Sequence, residues 1–166
     1  MSATVTPGPA VLPVADATAD DLEGILKLQY LCYQGEAQRY DFWTIPALTQ
    51  SLAALTEELA AQPMLVVRLP GEPAEVVGSV RGEQVGDTFH IGRLVVHPRL
   101  QRQGIGRRLL HAIEDRAGAA TRLEVYTGHR STEFLGVYAD AGYREFRTEP
   151  VSDLLRLTYL EKVRPS

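Results

Sequence analysis

The sequence predicts a mixed α/β domain built around one sheet. Three observations point there. Apolar runs such as Met64-Leu65-Val66-Val67 and Val76-Val77-Gly78-Ser79-Val80 are short, β-branched and bounded by turn residues, as strands are. Other segments repeat at helical spacing: Leu48, Leu52, Leu55 and Leu59 fall at i, i+4, i+7 and i+11 and make one stripe. With 166 residues, 45% hydrophobic and 23% charged, the chain suits a single domain with a full core and is not a largely disordered one.

Residues 1–10, rich in Thr, Ala, Pro and Gly, read as a flexible tail ahead of a domain over 11–166. Val11 to Val14 is a short edge-type strand, because Pro13 cannot donate to a ladder. Thr18 caps a helix whose positive first turn holds Asp20 and Asp21, and Leu22, Ile25, Leu26, Tyr30 and Tyr33 follow its apolar face. A second helix begins near Pro46 and ends before Pro63. The two strands quoted above come next, with Pro70-Gly71-Glu72-Pro73 as their turn. Gly86-Asp87 marks a hairpin into Phe89 to Val96, so three strands form an antiparallel meander that Pro98 stops. Gly104 to Arg116 is a helix with Ile105, Leu109, Leu110 and Ile113 inward. Leu123 to Tyr126 is a strand, Ser131 caps a helix bearing Phe134, Leu135 and Tyr138, and Gly142 ends it in a left-handed cap. Tyr143 to Arg147 and Leu154 to Leu160 are the last strands, giving seven strands and four helices.

Charge and cysteine content narrow the function. A net charge of −4 opposes a general nucleic-acid binder. One cysteine, Cys32, excludes a disulfide framework and a cysteine-based zinc site. No run reaches the ~18 apolar residues that span a bilayer, so no membrane partner is expected. Met1 to Pro9 has neither a charged n-region nor an apolar h-region, which points to the cytoplasm.

The richest segment runs from Leu94-Val95-Val96 through Gln101-Arg102-Gln103-Gly104-Ile105-Gly106-Arg107 into the helix. A helix start leaves backbone N–H groups without intrahelical partners and carries the positive end of the dipole, which suits a phosphate. Two glycines keep side chains away, and Arg99, Arg102, Arg107 and Arg108 add cations. The sequence contains neither Gly-x-x-x-x-Gly-Lys-Ser/Thr nor Gly-x-Gly-x-x-Gly, since Leu109 follows the second gap.

Gln101-x-x-Gly104-x-Gly106, between an apolar strand and a helix, resembles the acetyl-CoA signature of the GNAT N-acetyltransferase superfamily. Leu123-Glu124-Val125 followed by Tyr138-x-x-x-Gly142-Tyr143 resembles that family's fifth strand and fourth helix. The resemblance implies the GNAT fold, a mixed and mostly antiparallel sheet of about seven strands flanked by four helices. It implies a fourth strand splayed from the fifth, so that Leu94, Val95 and Val96 take the pantetheine arm of acetyl-CoA as an added strand would. It places the pyrophosphate on the amides from Arg102 through Gln103, Gly104, Ile105 and Gly106 to Arg107, with Gln101 and Ser131 also in the cofactor site. Ser131 stands where an asparagine is common in the family. No metal is implied.

The same resemblance sets the tyrosine that faces the CoA sulfur at Tyr138. An amine of pKa ~10 is protonated at neutral pH, so attack needs a base. Glu124 is the first candidate, on a strand resembling that of the ribosomal-protein N-terminal acetyltransferases. His90, whose ordinary pKa of ~6.5 suits a base, is the second. Glu36, in the aromatic-rich stretch Tyr33 to Trp43, is the candidate seat for a cationic acceptor. The expected acceptor is a small-molecule amine or a peptide or protein amine, and a homodimer is compatible with the family. The rival expectation is a non-catalytic acyl-CoA-binding sensor, which would keep Gly104 and Gly106 and need neither Glu124 nor Tyr138.

Overall fold

The computed structural model describes residues 12–165. The tail over 1–10 and Val11 lie outside them. Strand β1 is Val14–Asp16, followed by helices α1 (Leu22–Tyr40), α2 (Pro46–Thr49) and α3 (Leu52–Ala61). Strands β2 (Met64–Leu69), β3 (Glu75–Val85) and β4 (Thr88–Val96) form the expected meander. Helix α4 (Ile105–Glu114), β5 (Arg122–Gly128), α5 (Thr132–Asp140), β6 (Arg144–Pro150) and β7 (Arg156–Val163) complete the domain. The single sheet has the order β1-β2-β3-β4-β5-β7-β6, with β4–β5 its parallel pair and the other neighbours antiparallel.

Helices cover both faces, so β2 reads as a continuous apolar run. Leu65 and Val67 join Ile105, Leu109, Leu110 and Ile113 of α4. Met64 and Val66 point the other way, to Leu22, Ile25 and Leu28 of α1 and Leu55 of α3. Leu109 is wholly buried, and truncating such a leucine to alanine typically costs ~2–5 kcal/mol.

Three expectations are corrected. The helix from Pro46 toward Pro63 is two helices, which makes five rather than four. Gln50 is extended between them because its polar groups are used elsewhere. Its Oε1 accepts from Gln29 and from Arg81, its Nε2 donates to Glu58, and its carbonyl accepts from Tyr30. Ser51 then caps α3 by accepting from Ala54 N at 3.1 Å. The leucine stripe is interrupted in turn, with Leu55 buried and Leu52 exposed. Second, Thr18 caps a single 3-10 turn, Ala19–Asp21, that leads into α1. Asp21 there accepts from Thr18 N at 2.7 Å and pairs with Arg68 of β2 at 2.6 Å, and the guanidinium holds the carboxyl below its usual range. Third, the edge strand begins at Val14, beyond Pro13.

Candidate active site

The parallel ladder between β4 and β5 has three rungs, Thr88↔Arg122, Phe89↔Leu123 and His90↔Glu124. Beyond His90 and Glu124 the strands diverge, as the splayed pair was expected to. Strand β4 also carries a bulge: Ser79 faces Val95 but Arg81 faces Gly92, so Arg93 and Leu94 together oppose Val80. Arg93 sits in the left-handed region at φ 54°, a strained conformation for a residue with a side chain.

One cavity, of about 440 Å³, lies along the groove between the end of β4, the start of α4 and helix α5. Leu94, Val96, Gln101, Arg102, Gly104, Ile105, Gly106 and Arg107 line it. Gly104 precedes α4 at φ 90°, a conformation that L side chains rarely adopt. The next amides open the helix without intrahelical partners. A Cβ on Gly106 would touch only Val96 Cγ2, at 3.7 Å, so residue 106 leaves open space in the groove. Gln101 works through its side chain, donating to Val96 O at 3.0 Å and fixing the loop to the end of β4. Across the groove Arg102 pairs with Glu133 at 2.7 Å and Arg107 with Asp140 at 2.6 Å. These pairs are solvent-exposed and contribute little to stability.

A second cavity, of about 210 Å³, opens where the strands part. It shares Leu94 and Phe134 with the groove, so the two spaces meet at one wall. Tyr33, Glu36, Tyr40, Arg93, Tyr126 and Tyr138 are among its lining. Tyr138 is 4% exposed, and its hydroxyl has no hydrogen-bond partner among the described residues. Burial raises its phenol well above the usual range, with smaller contributions from Tyr33 and Tyr126, so the hydroxyl stays protonated at neutral pH. Glu36 accepts from Ser131 Oγ at 2.6 Å, and Ser131 Oγ lies 2.8 Å from Tyr40 Oη. Arg130 N donates to the same tyrosine oxygen at 2.8 Å. The Tyr40 ring lies so close to residue 128 that any Cβ there would overlap it, which requires Gly128.

The two base candidates come together, His90 Nδ1 lying 3.2 Å from Glu124 Oε2. Arg122 holds Glu124 Oε1 at 2.8 Å. Both line a third cavity of about 300 Å³ and not the one containing Tyr138. Gly92, Arg93 and Tyr126 border both spaces.

Several expected residues take other positions. Val95 turns its side chain toward α1 and α3 and is not among the groove's lining. Gln103 is exposed and lines no cavity described here. Ser131 is fully buried, bonded to Glu36 and Tyr40, and lines neither the groove nor the second cavity. Sequence reasoning missed Arg93, Tyr40, Gly128 and Phe134 as lining of the cavity. Gly128, just past the apolar run Leu123 to Tyr126, was the one signal of a close approach.

Residues 36–163 match the family model of the acetyltransferase (GNAT) domain. The chain is 30% identical over 134 residues to UPF0157 protein YqkA of Bacillus subtilis, covering 81% of this chain and 38% of that protein. It is 31% identical over 126 residues to the mycothiol acetyltransferase of Streptosporangium roseum, covering 66% of this chain and 37% of that protein. This chain thus spans less than two fifths of either curated relative. The structure of yncA from Salmonella typhimurium with its cofactor acetyl-CoA is similar at a TM-score of 0.73, covering 92% of this chain and 93% of that one. At 19% identity that likeness is one of fold.

Proposed function

This chain belongs to the GNAT acetyltransferase family, and on that premise we propose that it transfers the acetyl group of acetyl-CoA to a primary amine by direct attack. The observation that carries the reading is the meeting of two cavities at Leu94 and Phe134, in the gap between β4 and β5. One has the helix start and open glycine edge that a pyrophosphate needs. The other has a buried neutral phenol and a carboxylate that can seat a cation.

Acetyl-CoA supplies an activated thioester. The amides at the start of α4 hold its pyrophosphate, and the edge of β4 that faces the gap, from Leu94 to Val96, takes the pantetheine arm. Glu36 seats the amine. The Glu124–His90 pair takes the amine proton, relayed by water past the shared wall of Gly92, Arg93 and Tyr126. The N–C bond forms, the C–S bond breaks, and CoA leaves as thiolate before gaining a proton. Tyr138 donates a hydrogen bond to the sulfur as charge grows there. A phenol raised by burial is a poorer acid than a thiol of pKa ~8.5, so hydrogen bonding and not complete proton transfer is its part.

A panel of primary amines assayed for free CoA release tests this reading. Amine-dependent release that falls in Tyr138→Phe supports it. Tight acetyl-CoA binding without release, across small amines and peptide termini alike, would favour a cofactor-binding sensor.

A further inference from the structure

Arg93 presents a charge that the domain leaves unanswered. Its Nε is buried with no hydrogen-bond partner. No carboxylate among the described residues lies within ion-pair distance of it; the Tyr33 ring lies beneath it, 5.9 Å from the guanidinium carbon to the centroid. A second cation, Arg81, lies close enough to feel it, yet Arg81 has Glu58 at 2.5 Å and Arg93 has no counterpart. Arg93 as a whole is half-buried, and leaving its buried Nε donor without a partner is costly unless something completes it. The bulge that delivers Arg93 is itself strained, at φ 54°.

Glu36 lines the same 210 Å³ cavity, and both residues act on Tyr33. An anion and a cation therefore border one small space without neutralising each other. The remaining wall is largely apolar, with Phe42, Leu94, Phe134 and Leu155 among it. The volume is below the ~300–1,000 Å³ of sites for drug-sized ligands.

We propose that the acceptor is a free α-amino acid with an apolar side chain, its ammonium at Glu36 and its carboxylate on Arg93. This rests on the acetyl-transfer reading above and narrows its substrate. The bonds made and broken are unchanged: the α-amine forms the N–C bond and CoA departs from sulfur. Arg93 adds discrimination. A peptide terminus carries an amide where a free amino acid carries its carboxylate, so it leaves the guanidinium unpaired.

The test is calorimetric binding to the CoA-saturated protein. Leucine and phenylalanine are compared with leucinamide, isoamylamine and phenethylamine. The amino acids should bind roughly 10- to 100-fold more tightly than the analogues lacking a carboxylate. Arg93→Met should erase that ratio while acetyl-CoA affinity is kept. Should Arg93→Met not fold, the comparison of acid with amide on the parent protein decides alone. Equal binding of acids and amines, or no binding of either amino acid at millimolar concentration, overturns the proposal. Selective binding of amino acids without CoA release from acetyl-CoA would leave this site standing and remove the acetyl-transfer reading. Acetyl transfer to amines regardless of a carboxylate would do the reverse.

Discussion

Ser131 Oγ donates to Glu36 Oε2 at 2.6 Å, which ties the last turns of α1 to the start of α5. The same hydroxyl lies against Tyr40, so one buried serine orders both the carboxylate of the second cavity and an aromatic wall. Ser131→Ala should cost roughly 1–3 kcal/mol, because buried polar partners lose a bond and regain none. Urea unfolding measures this. The acceptor KM should rise with acetyl-CoA affinity unchanged. A variant of parental stability and parental KM would show that the link orders nothing.

Two carboxylates have separate parts, and kinetics can tell them apart. Glu36 borders the space beside Tyr138, and Glu124 borders the neighbouring space with His90. Glu124→Gln should lower the single-turnover rate by ~10²–10⁴-fold, as the loss of a general base does. Glu36→Gln should act mainly through the acceptor KM. If Glu36→Gln takes the rate loss and Glu124→Gln does not, the base is Glu36.

Much of this was legible in the residues. The β4–α4 segment carried its meaning locally, in Gly104, Gly106 and the apolar strand before them, and a local signal needs no tertiary knowledge. Tyr138 and Glu124 were singled out through the family resemblance that Leu123-Glu124-Val125 and Tyr138-x-x-x-Gly142-Tyr143 carry. Arg93 was not, because the bulge that turns it arises from the register of β3 against β4, which no single segment encodes. The break between α2 and α3 was missed for a similar reason. Gln50 is drawn out of helix by Gln29, Tyr30, Glu58 and Arg81, from three other elements. Ser131 has a helix-cap sequence, yet its hydroxyl turns to Tyr40 and Glu36 instead.

Cys32 should be slow to react. Burial pushes its thiol up to about 11, and its Sγ donates to Val96 O at 3.4 Å. Near neutral pH the thiolate that alkylates is then scarce. Iodoacetamide labelling should be much slower in the folded protein than in urea, and should quicken as pH rises toward 11. Equal rates folded and unfolded would contradict the burial.

Tyr138 gives a rate prediction and a pH prediction. Tyr138→Phe keeps the ring, so acetyl-CoA binding should survive and the single-turnover rate should fall by roughly 2–4 kcal/mol of barrier. Because burial raises the folded phenol, the unfolded chain ionises first as pH passes ~10. Stability is then full below that pH and declines above it, as the unfolded state loses the proton that the folded state retains. Tyr138→Phe should flatten part of that alkaline decline in urea titrations. An unchanged single-turnover rate would make Tyr138 a packing residue.

If the groove beside α4 takes acetyl-CoA, a substitution at Gly106 should show it. A side chain there has room in the fold, since its Cβ would meet only Val96 Cγ2 at 3.7 Å. In Gly106→Glu a carboxylate would enter the space assigned to the pyrophosphate, beside the helix start. Calorimetric titration of acetyl-CoA into both proteins, with thermal unfolding as the control for folding, is the measurement. We expect one tight site in the parent protein and an affinity at least about tenfold weaker in a Gly106→Glu protein that unfolds at the parental temperature. Equal affinity in that folded variant would contradict it.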